Sequence, residues 1–246
     1  MAGHARKLDE VRREIANLPA DWHGAGSVGA PALDALHRHA CAAGRLVRTV
    51  ETGTGRTTLL LSHISPDHTV FTQDDAELHG TLARVRSSPL LRQDRVRFVV
   101  GPTQRTLIGH RFDGPIDLAL LDGPHAYPFP DLEYWAVYPH LAQGGLLVVD
   151  DVQIPTIANL FSFLKVDAMW DLVEVAEDMA FFRRTSAPAV DPYGEGWWEQ
   201  AFNLRPSSRH LPWRRRAARK RDRLTRRARS AVPAPVKRPL KRLAGR

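Results

Sequence analysis

The sequence predicts an α/β protein, with a seven-stranded, mostly parallel sheet, helices on both faces and an antiparallel last strand. Three observations predict it. From about residue 46 onward, short apolar runs alternate with helix-like stretches, the signature of strands joined by right-handed helical crossovers. The fourth run, Ile116–Leu121, is nearly all apolar, as a strand buried on both faces requires. The last two runs, Leu172–Glu177 and Met179–Arg184, have almost nothing between them, so they form an antiparallel hairpin.

Taken in order, Leu8, Val11, Ile15 and Leu18 recur at helical spacing within residues 4–18. A second helix is expected from Pro31 to about Ala43, with proline in its first turn and Gly44 at its end. Leu46–Val50 reads as the first strand, followed by a glycine turn and the helix start Thr57–Ser62. Thr69–Thr72 is the second strand, Ala76–Val85 a helix and Val96–Val100 the third strand. After the fourth strand come a helix at Pro130–Leu141, a fifth strand at Gly145–Val149 and a helix at Thr156–Lys165. The regular alternation stops beyond Thr185. The expected organisation is a catalytic domain over residues 1–185, a Pro/aromatic-rich extension over 186–212 and a basic tail over 213–246.

The first strand ends in Glu51-Thr52-Gly53-Thr54-Gly55-Arg56-Thr57-Thr58. In an open parallel sheet, ligands sit outside the carboxyl ends of the strands. Glycines there allow close backbone approach, and the following helix offers free N–H groups. A tight turn needing positive φ explains G-x-G equally simply. Two details separate the turn from a dinucleotide fingerprint. The third glycine is replaced by Thr58, and an acid, Glu51, precedes the first glycine. Glu51 is placed to face an ammonium group, so both details favour a cationic ligand bearing an amino acid. Asp74, at the end of the second strand and about 20 residues on, suits ribose hydroxyls. Asp75 is the runner-up there, and helix capping is the simpler use of either acid.

Asp122 follows the fourth strand, and Asp150 and Asp151 follow the fifth. Three carboxylates at adjacent strand ends repel when desolvated together, and a hard divalent cation such as Mg²⁺ resolves that repulsion. Each acid could also simply cap the segment after it. His125, three residues after Asp122, titrates near neutrality and can take a proton from a substrate hydroxyl.

Glu51-x-Gly53-x-Gly55, Leu121-Asp122-Gly-Pro-His125, Gly144-Gly145 through Asp150-Asp151 and the closing hairpin together resemble the class I S-adenosylmethionine-dependent methyltransferases. Among these, the metal-dependent O-methyltransferases are the most similar, and the resemblance covers about residues 25–184. It implies a Rossmann-like sheet whose last strand is antiparallel. It also implies S-adenosylmethionine as cofactor, with Glu51, Gly53, Thr54 and Gly55 at its methionine end. Asp74 would then hold the ribose, Thr103 and Gln104 would lie against the adenine, and Asp122 would border both cofactor and metal. Asp122, Asp150 and Asp151 match metal-ligand positions, and His125 stands where catechol O-methyltransferase has a basic lysine. Macrolide-sugar O-methyltransferases are similar in having histidine there. The implied acceptor is therefore a hydroxyl of a small molecule or a sugar or glycan, and a homo-oligomer is compatible with the resemblance.

Charge divides the chain. Residues 205–246 hold 17 Lys/Arg and one acid, Asp222, whereas residues 1–204 hold 18 Lys/Arg against 26 acids. The tail reads first as a solvated extension, then as a contact for an anionic membrane surface, and last as a nucleic-acid arm, since few aromatics are interleaved to stack on bases. A nucleic-acid methyltransferase docked by this tail and a non-catalytic scaffold are the alternative functions. A single cysteine, Cys41, excludes a disulfide framework and a thiolate zinc site. No run approaches the roughly 18 apolar residues of a membrane span, and the N-terminus alternates charges instead of leading into an apolar run. The expected location is cytoplasmic, with peripheral attachment at the inner face of the membrane if the tail docks there.

Overall fold

A computed structural model describes residues 2–19, 22, 28–44, 46–73 and 80–204. The chain divides into two compact units, 1–189 and 190–246. The first begins with two helices, α1 (Ala2–Ala16) and α2 (Ala30–Ala42). The alternating part follows: β1 (Arg48–Thr52), α3 (Arg56–Ile64), β2 (Asp67–Thr72), α4 (Thr81–Ser87), β3 (Val96–Val100), α5 (Thr103–Thr106) and β4 (Ile116–Leu121). It closes with α6 (Phe129–Val137), β5 (Leu141–Val149), α7 (Pro155–Leu164), β6 (Trp170–Ala176) and β7 (Met179–Arg184). Among the described residues of the second unit, 196–198 and 201–204 form short 3-10 turns.

The seven strands form one sheet in the order β3-β2-β1-β4-β5-β7-β6. β1 pairs in parallel with β2 and β4, β2 with β3, and β4 with β5. β7 is antiparallel to both β5 and β6, so it alone runs against the sheet, as the near-zero spacing of the last two runs predicts. Successive residues point to opposite faces of a strand, and here both faces are apolar. Leu118, Leu120, Leu146, Val148 and Phe181 are fully buried in one core with α1, α2 and α3. Ala119, Leu147 and Phe182, equally buried, face the other way, where Phe182 meets Phe161 of α7 at 5.9 Å between ring centroids.

Most boundaries shift by one or two residues from expectation, β2 and β6 each beginning two residues earlier. β1 starts at Arg48 because the N–H groups of Val47 and Arg48 donate to the Asp117 carboxylate (2.7 and 3.0 Å), which sets where the ladder begins. The helix expected through Leu141 ends at Val137. Pro139 lies in a 3-10 turn, and Leu141 already opens β5. Of the expected helix at Ala76–Val85, residues 76–79 lie outside the described set, Gly80 precedes α4 with φ +65°, and 81–85 fall in α4. No helix among the described residues is long and apolar enough to cross a membrane. The basic segment 205–246 also lies outside the described residues.

The outer strand β6 is tied to α2 by Glu174. Arg38 grips this carboxylate with both terminal nitrogens (2.8 and 3.1 Å), and His39 Nε2 stands 2.7 Å away. Hydrogen bonds from Arg38 and then His39 hold the Glu174 carboxyl down to about 2, against an ordinary 4.5. A depressed carboxyl pKa stabilises the fold above the unfolded value, and that contribution is lost as pH falls through the folded value. Glu174→Gln therefore lowers the Tm near pH 6, and the gap from wild type closes as pH drops from 4.5 towards 2. Thermal melts across that range test this, and a gap independent of pH would overturn it.

Candidate active site

The carboxyl ends of β1, β4 and β5 are neighbours in the sheet. Together with the turn between β6 and β7 they enclose a cavity of about 560 Å³, within the range of sites for small molecules and cofactors. Its floor is the glycine turn, Gly53, Thr54 and Gly55, and one wall carries Asp122, His125, Asp150 and Asp151. Gln73 and Thr103 line the side below β2 and β3, and Val28, Gly29, Glu177 and Asp178 the opposite side.

The turn's shape follows from its residues. Gly53 has φ +84°, and a Cβ there would stand 2.2 Å from the carbonyl oxygen of Asp122. Only glycine lets the end of β1 pass this close to the end of β4. Its N–H donates to Phe71 O of β2 at 2.9 Å, so the turn is stitched to both neighbouring strands.

Glu51 does not face the cavity. It is fully buried and absent from the cavity lining, contrary to the expectation that it meets the ligand's ammonium group. The hydroxyls of Thr57 and Thr58 donate to it, the latter at 2.8 Å, and His68 Nε2 lies 3.0 Å away. An ionised carboxylate only accepts, so Nε2 carries the proton, and Nδ1 is left to accept from the Thr49 hydroxyl at 2.9 Å. Thr58 Oγ1 in turn accepts from the Gly55 N–H at 3.0 Å. The carboxylate thus organises the turn from beneath. Nothing in the spacing marks His68, which sits in a strand on ordinary alternation.

Asp122, His125 and Asp151 each place a ligating atom within 4.8 Å of the others. His125 Nε2 is 3.2 Å from Asp151 Oδ2 and 3.8 Å from Asp122 Oδ1. Asp122 raises the imidazole pKa most, and Asp151 and Asp150 add to it against partial burial. Burial pushes the Asp122 carboxyl up, while His125 pulls it back. Asp150 also borders the cavity, outside the trio whose atoms converge. Burial first, then the charges of Asp122 and Asp151, push its carboxyl up to about 8. The loop carrying His125 is held where the Thr156 hydroxyl donates to its carbonyl, at 2.5 Å. Asp151 has φ +55°, a conformation in which a non-glycine side chain is held under strain.

Glu133 of α6 is a second buried acid that spacing did not reveal. It accepts from the Thr52 hydroxyl at 2.7 Å, and Thr52 Oγ1 accepts from the Asp122 N–H at 3.0 Å. Burial pushes its carboxyl up to about 7. A Cβ on Gly123 would fall 2.1 Å from it, so α6 presses directly on the loop after β4. Gln104 is absent from the cavity lining and borders a small recess with Leu107 and Phe129, whereas Thr103 lines both the recess and the cavity. Asp74 and Asp75 lie outside the described residues.

Residues 50–152 match a family described as a methyltransferase domain, and no curated protein matches the chain. Among solved structures, a proposed caffeoyl-CoA O-methyltransferase from Staphylococcus aureus superposes with a TM-score of 0.55 at 15% identity, over 71% of this chain and 91% of that one. The O-methyltransferase TomG from Streptomyces achromogenes, involved in tomaymycin synthesis and solved with S-adenosylmethionine, gives 0.53 at 17% identity, over 74% and 90%. An O-methyltransferase from Bacillus cereus solved with S-adenosylhomocysteine gives 0.50 at 19%, over 73% and 90%. At these identities the likeness establishes the fold.

Gly53→Ala strains the turn by about 1–3 kcal/mol from its φ alone, with the clash at Asp122 added. Urea unfolding and cofactor titration should both register the loss. A wild-type midpoint with unchanged affinity would sink this reading of the turn.

Proposed function

We propose, from the premise that residues 50–152 belong to the class I S-adenosylmethionine-dependent methyltransferase domains, that the chain methylates a hydroxyl of a small molecule or of a sugar or glycan, assisted by a divalent cation. The observation that carries this reading is the meeting of Asp122, His125 and Asp151 on the wall of the cavity floored by the glycine turn.

The residues present fit both groups. The cavity is large enough for the cofactor, and the glycine turn leaves room for close approach. The two converging carboxylates are donors suited to a hard cation, with the His125 imidazole beside them. Asp122 and Asp151 would hold it, with Asp150 beside them. When bound, such a cation lowers the pKa of an acceptor hydroxyl. His125 Nε2 receives the hydroxyl proton in its neutral form, and Asp122 and Asp151 stabilise the imidazolium that results. Thr52 and Glu133 keep the Asp122 backbone in place, which fixes the distance between acceptor and methyl donor. Carboxylates at this wall make a poor neighbour for nucleic-acid phosphates, which favours an uncharged or cationic acceptor over a nucleic acid. The basic residues 205–246 suit docking at an anionic membrane surface.

Calorimetric titration of the intact chain with S-adenosylmethionine, with and without Mg²⁺, tests the reading. Cofactor binding with a metal response that Asp151→Ala loses is the expected outcome, and absence of cofactor binding would overturn it. Against an accepted hydroxyl substrate, His125→Ala lowers kcat by about 10²–10⁴ while leaving cofactor affinity intact. An unchanged kcat in that variant would remove His125 from the chemistry.

A further inference from the structure

Arg56 opens α3 directly after Gly55 and lines the cavity. It is only 7% exposed. Its terminal nitrogens donate to main-chain carbonyls of the N-terminal segment: Nη2 to Leu18 O (2.6 Å) and Pro19 O (3.1 Å), and Nη1 to Val28 O (3.4 Å). Its Nε–H is buried and has no hydrogen-bond partner among the described residues. A buried donor left open is costly, and native structures rarely keep one without a use.

The charges around it say what that use is. The acids lining the cavity are Asp122, Asp150, Asp151, Glu177 and Asp178, and Arg56 is the one permanently charged cation among the described lining residues. Glu51, the nearest acid in sequence, is already satisfied by His68 and two threonines. A ligand carrying both an ammonium and a carboxylate therefore finds many charged partners for the first and, among the described lining residues, a single permanent cation for the second. Fastening the two Nη groups to carbonyls fixes the guanidinium plane, which leaves Nε–H as a preorganised donor.

Resting on the cofactor reading above, we propose that Arg56 is the residue that recognises the carboxylate of the cofactor's methionyl group. The same tie couples the cofactor site to the segment before α2, because the carbonyls of Leu18, Pro19 and Val28 share one side chain with the ligand.

The test compares two ligands by calorimetry on the full chain: S-adenosylhomocysteine, which carries the carboxylate, and 5′-methylthioadenosine, which lacks the amino-acid end. Arg56→Gln should weaken S-adenosylhomocysteine by about tenfold or more, the scale of a charge-assisted hydrogen bond, and leave methylthioadenosine nearly unchanged. Arg56→Lys, which keeps the charge without the fork, should recover part of the loss, and it carries the same comparison if the glutamine variant does not fold. Equal weakening of both ligands would make Arg56 a structural tie only and overturn the proposal, as would unchanged binding of S-adenosylhomocysteine. A wild-type chain that binds neither ligand would overturn the cofactor reading itself, a result distinct from loss of selectivity in the variants alone.

Discussion

The site depends on a carboxylate that water does not reach. Glu51 sits near the end of β1 with His68 of the neighbouring strand and Thr57 and Thr58 of the following helix gathered around it. Its partners come from β2 and α3, so this single group fixes the angle at which β1 gives way to α3. Removing one of these donors leaves a buried acceptor short of a hydrogen bond, at a cost of about 1–3 kcal/mol. Such an anchor is hard to replace piecemeal. The turn above it keeps its shape through bonds within the protein, from Gly55 N–H to Thr58 and from Gly53 N–H to Phe71 O.

On the other side of β1 a second buried acid does similar work. Glu133 reaches through Thr52 to the backbone of Asp122, so the floor and the acidic wall of the cavity are both set by carboxyl groups beneath them. Each hydrogen bond in such a network also fixes a direction. The side chains exposed to the cavity can then vary without moving the strands that carry them.

The fold was legible because its signals are local. β3, β4 and β7 begin and end at the residues their apolar runs mark, bounded by a turn, an acid or a charge. β1 was read two residues early because Leu46 and Val47 are as apolar as a strand, and what starts the ladder is a distant acid, Asp117. The site was legible only in part. Strand order brings Asp122, His125 and Asp151 together, and their positions at strand ends were visible in the sequence. Whether an acid at such an end faces a cavity or a histidine behind it depends on a residue far along the chain, which spacing does not encode. Glu51 was misplaced for that reason, and His68, Glu133 and Arg56 were missed. Arg56 did leave one local trace, a charge between the glycine turn and the apolar helix start.

The place of β7 between β5 and β6 has a consequence for how the chain is made. β5 has only one partner, β4, until β7 has been synthesised. At typical translation rates the roughly 30 intervening residues take about 2–6 s. During that time the row of Leu146, Leu147, Val148 and Val149 presents an apolar edge with open backbone groups, the kind of surface on which chains pair wrongly. The nascent chain is therefore most in need of protection late in its synthesis, after the glycine turn and acidic loops have emerged and before the hairpin closes the sheet.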